Sequence, residues 1–286
     1  MNRKHHRRTL LAGTIGVLVL GLGFAVTTAK AQKGPLMELD PAKFDQASTT
    51  ITNDWWPLKP GIRLTYEGYT IEDGKKIPHK ITDTTTDLVK VINGVRTLVA
   101  LEMDFSNGRM IEKEIAFHAQ DKEGNVWHFG QLRETYDQDE LVGYRAWLVD
   151  SPKGAKAGIR MQAKPALGTP DYSQGFAPAP FNWTDRAKVA QMGQSTKVRT
   201  GAYKDLMVID EWDDESPKGA FQTKWYARGV GIVRIGFKGP DKSKEEMELV
   251  KIEQLTPEQM TEARAQAIGI DTRAFEYGRM APVAPK

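Results

Sequence analysis

The residues best suited to chemistry are three histidines, a scatter of carboxylates and a set of aromatic rings. Beyond His5 and His6 at the N-terminus, the histidines are His79, His118 and His128. Asp121-Lys122-Glu123-Gly124 reads as a type I turn closing a three-residue hairpin loop, since Asp opens such turns and Gly ends them. With Asp121 paired to Asn125, Ala119 faces Trp127 and Phe117 faces Phe129 on one side of the ribbon. On the other side His118 sits directly opposite His128, and Glu114 lies two pairs further along. A cross-strand His pair near a carboxylate is the pattern of a weak zinc or copper site at His118, His128 and Glu114. The competing reading is two solvated side chains on a polar face, and spacing fixes no third ligand to overrule it. The Asp121 loop is an ordinary hairpin rather than a calcium loop, because its glycine is misplaced for an EF-hand. The run Asp210-Glu211-Trp212-Asp213-Asp214-Glu215 could gather oxygens around calcium, but more commonly such a run is a solvated turn.

The rings are Trp55, Trp56, Tyr66, Phe117, Trp127, Phe129, Trp225 and Tyr226. They serve either as core filling or as the lining of a site for an apolar ligand, with Tyr66, Trp127, Phe129 and Trp225 as the expected ligand-binding set. No H-E-x-x-H, P-loop or G-x-S-x-G motif is present, so no catalytic residue and no cofactor is assigned. Paired carboxylates of the kind that hydrolyse glycosides stay open, because such partners need not be close in the chain.

These residues must be held by β structure. Ile62, Leu64 and Tyr66 alternate with polar residues, as in a half-buried strand. Leu88 to Ile92 ends at Asn93-Gly94, and the strand that follows ends at Asn107-Gly108. Both dipeptides are strong hairpin signals. Ile111 to Ala119 and Val126 to Tyr136 continue the meander, and strands return at 206–212, 220–226, 230–237 and 247–252. Residues 151–180, rich in Gly, Pro and Ala, read as a long irregular connection. Thr256-Pro257-Glu258-Gln259 is a capping box with proline at the first helical position, opening a short helix. The expected organisation is a signal over 1–31, a lead-in over 32–52, a β domain over 53–255, a helix over 256–270 and a flexible tail over 271–286. The fold class is mainly β, a curved antiparallel sheet or half-open barrel with a short C-terminal helix.

The N-terminus carries Arg3, Lys4, Arg7 and Arg8, then an apolar run from Leu10 to Val26, then Ala29-Lys30-Ala31. Those are the three parts of a cleavable secretory signal, and Arg7-Arg8 leaves the general and twin-arginine routes both open. The expected location is therefore periplasmic or secreted, with no stable membrane anchor after cleavage. Five of the 40 Lys and Arg lie in residues 1–31, which hold no Asp or Glu. The remaining 35 face 37 acidic residues, a formal charge of −2, so nothing favours a nucleic-acid partner. There are no cysteines, which excludes disulfides, thiolate metal sites and a lipid-modified cysteine.

Three stretches carry a family resemblance. They are Asn53-Asp54-Trp55-Trp56-Pro57-Leu58-Lys59-Pro60-Gly61 with Tyr66-Glu67-Gly68, Gln120-Asp121-Lys122-Glu123-Gly124-Asn125-Val126-Trp127 with Phe129-Gly130, and Trp225-Tyr226-Ala227-Arg228-Gly229-Val230-Gly231-Ile232-Val233. Together they resemble a family of uncharacterised secreted bacterial proteins. The last is similar to a motif of half-open β-barrels that act as periplasmic lipoprotein carriers. The resemblance implies a curved antiparallel sheet around a cavity and no reaction. The leading expectation is an exported non-enzymatic protein holding a hydrophobic small molecule or lipid-like group in that cavity. A cell-envelope structural or interaction module, and a hydrolase of envelope polymers, are the alternatives. A cavity separates the first from the second, and titratable groups converging in a cleft favour the third.

Overall fold

The computed structural model describes residues 35–279. The expected signal over 1–31 and the end of the chain from 280 lie outside the described residues. After two short 3₁₀ turns, Pro41–Lys43 and Gln46–Thr49, the described residues form fourteen strands. They are β1 (Ile62–Glu72), β2 (Lys75–Ile92), β3 (Val95–Ser106), β4 (Arg109–Gln120), β5 (Val126–Asp137), β6 (Glu140–Leu148) and β7 (Lys156–Met161). Then come β8 (Tyr172–Ser173), β9 (Gly175–Phe176), β10 (Arg186–Val198), β11 (Gly201–Trp212), β12 (Phe221–Ala227), β13 (Gly231–Lys238) and β14 (Glu246–Gln254). The helix α1 (Pro257–Arg279) follows.

All strands join one antiparallel sheet ordered β8-β10-β11-β12-β13-β14-β1-β2-β3-β4-β5-β7-β9, with β6 beside β5. The sheet is open, a half-barrel rather than a closed one. Local turn chemistry builds the meander. Asn93-Gly94 and Asn107-Gly108 both place two successive residues at positive φ (46° and 78°, 50° and 77°), the type I′ geometry that matches strand twist. Pairing of β14 with β1 then welds the C-terminal strands to the N-terminal ones.

The two end strands, β8 and β9, are successive pieces of one chain separated by Gln174 alone. Tyr172 and Ser173 pair with β10, while Gly175 and Phe176 pair with β7. The span 151–180 is thus not an irregular connection throughout. It contains β7, β8 and β9, hidden in sequence because each is short and set among Gly and Pro.

Side-chain alternation divides the sheet into two faces. Ile115, Phe117 and Leu132 are buried on one face, as are Trp127 and Phe129, which meet Phe44 edge to face at 6.0 and 5.4 Å. The helix covers the same face. Met260, Ala263, Ala267 and Ile270 form its apolar stripe and are buried. Thr256 and Gln259 cap its start reciprocally, as the sequence predicts. Three ion pairs fix it: Arg264 to Asp87, Lys90 to Asp271, and Arg273 to Glu134. The helix continues to Arg279, past the end expected near residue 270. It does not close the cavity, which opens on the other face.

Candidate functional site

That other face lines a cavity of about 600 Å³, within the size range of small-molecule sites. A second, smaller pocket of about 130 Å³ lies beside Trp56 and is too small for such a ligand. Of the four rings expected to line a ligand site, only Tyr66 reaches the large cavity, where its hydroxyl donates to the Ile232 carbonyl at 3.1 Å. Trp127 and Phe129 lie in the core on the opposite face. The indole Nε1 of Trp127 donates to Asp121 at 2.8 Å. Trp225 is on the face away from its cavity-lining neighbour Lys224 and carries Arg234 over its ring. Trp127 and Phe129 are core filling because strand alternation turns them toward Phe44. The apolar part of the cavity wall comes instead from residues such as Trp56, Ile81, Trp183 and Ile235, and the other half of the wall is polar.

Its lining is acidic. Eleven carboxyl side chains face three Arg or Lys, together with His79, His118 and His128. The centre is a row of residues directly opposite one another on four adjacent strands: Asp83, Glu102, Glu114 and Arg133. A second row beside it sets Asp104 opposite Glu112. Like charges placed directly across a ladder are destabilising, so such a row is maintained against the interest of the fold.

The basic groups are already engaged. Arg133 Nε lies 3.0 Å from Glu112 and 2.9 Å from Glu114. Gln131 donates to the same Glu114 oxygen at 2.7 Å. On the facing wall Lys224 and Arg160 both pair with Glu211, at 2.6 and 3.5 Å, and Gln174 donates to it at 3.1 Å. Among the described residues no salt bridge reaches Asp83 or Glu102.

The protonation equilibria follow from this crowding. Burial, then the charges of Glu114 and Asp83, hold the Glu102 carboxyl well above the carboxylate range. Burial and the Glu114 charge push Glu112 up to about 8, although Arg133 opposes them. Burial raises Asp83 to about 6 and, with the charges of Glu211 and Asp213, Asp185 to about 7. Burial works against the charged form of Glu211 too, but Lys224 and Arg160 outweigh it and bring the group to about 2. His79 Nε2 lies 3.0 Å from Asp104 and 3.2 Å from Glu245. Burial disfavours its cation, yet these two carboxylates more than offset that and raise it to about 10.

His118 and His128 stand directly opposite each other, as the hairpin register requires. Glu114 does not join them, being held by Arg133 and Gln131. Among the described residues no group of three or more His, Asp or Glu converges on a point suited to a metal. Nor do the acids of 210–215 gather as one: Glu211 pairs with Lys224 and Arg160, and Asp213 caps its own turn by accepting from Ser216 and Glu215.

No family model matches the chain, and no curated protein matches it. Two solved structures are similar to it in part. One is described as an exported protein with a YmcC-like fold from Bacteroides fragilis, at 14% identity and a TM-score of 0.40. The other is described as a lipoprotein from Parabacteroides distasonis, at 12% identity and a TM-score of 0.39. Each likeness covers 70% of this chain and 99% of the other.

Proposed function

We propose that the protein is an exported, non-enzymatic binding protein whose half-barrel holds a polar, cationic, donor-rich ligand. Export rests on the basic, apolar and Ala-x-Ala sequence at the N-terminus. The ligand class rests on one observation: the Asp83–Glu102–Glu114 row opens onto a cavity whose three permanent cations are already paired. A ligand bearing amines relieves the repulsion between these carboxyls and satisfies their lone pairs. An apolar chain would leave the same carboxyls desolvated and unpaired, which is strongly unfavourable. This favours an amine-bearing ligand over the lipid-like one that the aromatic residues suggest.

The test is native mass spectrometry of protein recovered from its own host, followed by calorimetry with a linear polyamine, an amino-sugar oligomer and a long-chain fatty acid. Binding of an amine class that weakens with salt and with Glu102→Gln supports the reading. Binding of the fatty acid alone would refute it.

One observation favours a second reading. Glu102, with a raised pKa, stands opposite Glu114, which Arg133 and Gln131 hold in place. An acid and an oriented carboxylate are the pair that glycoside hydrolases employ. Turnover of chromogenic glycosides that disappears in both Glu102→Gln and Glu114→Gln would select the hydrolase.

A further inference from the structure

The deep end of the cavity holds a second feature, independent of the carboxyl row. We propose that His118 and His128 form a two-coordinate site for a soft monovalent metal ion, copper(I) or its stand-in silver(I), bound between His118 Nδ1 and His128 Nε2.

The two residues face each other across β4 and β5. Their ring centroids are 5.3 Å apart, with planes inclined by 32°. Two metal–imidazole bonds of about 2.0 Å each, set in line, place the ring centroids about 6 Å apart, so the pair must spread slightly by side-chain rotation to take the ion. Both residues are nearly inaccessible, at 4% and 6% exposure. His128 Nδ1–H donates to the Gln174 carbonyl at 3.0 Å, which fixes the tautomer and leaves the Nε2 lone pair outward. His118 has a backbone hydrogen bond at Trp127. The remaining nitrogens, His118 Nδ1 and His128 Nε2, are buried and have no hydrogen-bond partner. Two buried, unpartnered ring nitrogens on neighbouring strands are unusual in a fold, because an unpaired polar atom is unfavourable unless something fills it.

The surroundings choose among metals. Trp56 stands edge-on to His118 at 4.8 Å, and Trp147 edge-on to His128 at 5.1 Å. They wall the pair with apolar rings and bring no further ligand. Zinc requires four ligands in a structural site, or three and a water in a catalytic one, and no third side chain converges here. A d¹⁰ monovalent ion accepts two nitrogens in a line. The nearby Arg160 cation is balanced by Glu211.

The experiment uses the full-length chain carrying His5→Asn and His6→Asn, which removes the only other histidine pair. It is titrated anaerobically with copper(I) against a chromogenic chelator, and with silver(I) by native mass spectrometry. One equivalent should bind and survive excess zinc, and X-ray absorption should show two nitrogen neighbours. That equivalent should be lost in His118→Phe and in His128→Phe, with folding checked by near-UV circular dichroism. Should either variant fail to fold, ¹⁵N shifts of the two imidazoles in the unaltered pair report the same contact. Uptake that persists in the double histidine variant, a four-coordinate absorption spectrum, or no uptake at all with unmoved imidazole shifts would overturn the proposal.

Discussion

Glu102 on β3 stands directly opposite Glu114 on β4, carboxyl against carboxyl, in the wall of the cavity. Glu102→Gln removes the repulsion and should stabilise the protein by roughly 0.5–1 kcal/mol, the scale of cross-strand pair effects. The folded-state pKa of Glu102 lies above its unfolded value, so the folded state binds more protons and stability falls as pH rises. The gain from Gln should therefore grow toward alkaline pH. Urea denaturation at pH 6 and pH 9 measures this, and a variant less stable at both would contradict it.

Cation binding should strengthen as pH rises from about 6 to about 8, the interval in which Asp83, Asp185 and Glu112 lose their protons. His79 keeps its proton until about 10 and contributes nothing within that window. Calorimetry in two buffers of different ionisation enthalpy should detect protons expelled by the ligand. An affinity independent of pH across the window would show that the carboxyl row does not hold the cation.

Trp127→Ala should destabilise by about 3–5 kcal/mol, the range for deleting a large core ring. It removes the contacts with Phe44 and leaves Asp121 without its indole donor. Ligand affinity, compared at equal folded fraction, should not change, because the ring lies on the face away from the cavity. A tenfold loss of affinity in the folded variant would place this ring in the site after all.

The third contact of α1 is the most buried. The Glu134 side chain is 2% exposed and accepts two hydrogen bonds from Arg273, at 2.6 and 2.8 Å. Arg273→Ala should destabilise by about 2 kcal/mol, as expected when a buried carboxylate loses a charged partner. The folded pKa of Glu134 is lowered by Arg273 and Tyr136 in spite of burial, so this contribution is present above the unfolded value near 4.5. It is lost as pH falls below that value. Denaturation of wild type and variant should converge in acid, and curves that stay parallel would rule out the ion pair as the source.

Where turn chemistry governed pairing, the fold was readable from residues. Asp121 to Gly124 set the register of β4 and β5 correctly at His118 and His128, because the next irregularity lies beyond them. The carboxyl row was not readable, for a specific reason. A straight ladder from the Asn107-Gly108 turn pairs Ser106 with Arg109 and would continue to Glu102 opposite Lys113, an attractive pair. A β-bulge between Asp104 and Phe105 shifts the register by one residue and turns Glu102 to Glu114 and Asp104 to Glu112. The period-two spacing of Glu102 with Asp104, and of Glu112 with Glu114, was the available signal. Without the bulge it pointed to charge compensation. The rings misled in the opposite sense, since an aromatic residue on a strand serves core and cavity equally well by type.

The two edge strands of the open sheet belong to one segment, 172–176, with two pairs to β10 on one side and two to β7 on the other. No side chain is tolerated where this seam crosses its neighbour: a Cβ on Gly158 would sit 2.1 Å from the Gly175 nitrogen. Stability is not uniform in a sheet, and the shortest pairing opens first. The seam is therefore a weak join, as short on each side as the two pairs that link β13 to β14. Its amides should exchange with solvent ahead of those of β3 and β4. Its middle residue, Gln174, touches Glu211 through its side chain and His128 through its carbonyl. Opening of this join would therefore loosen two contacts at once, the side-chain amide on Glu211 and the backbone carbonyl on His128.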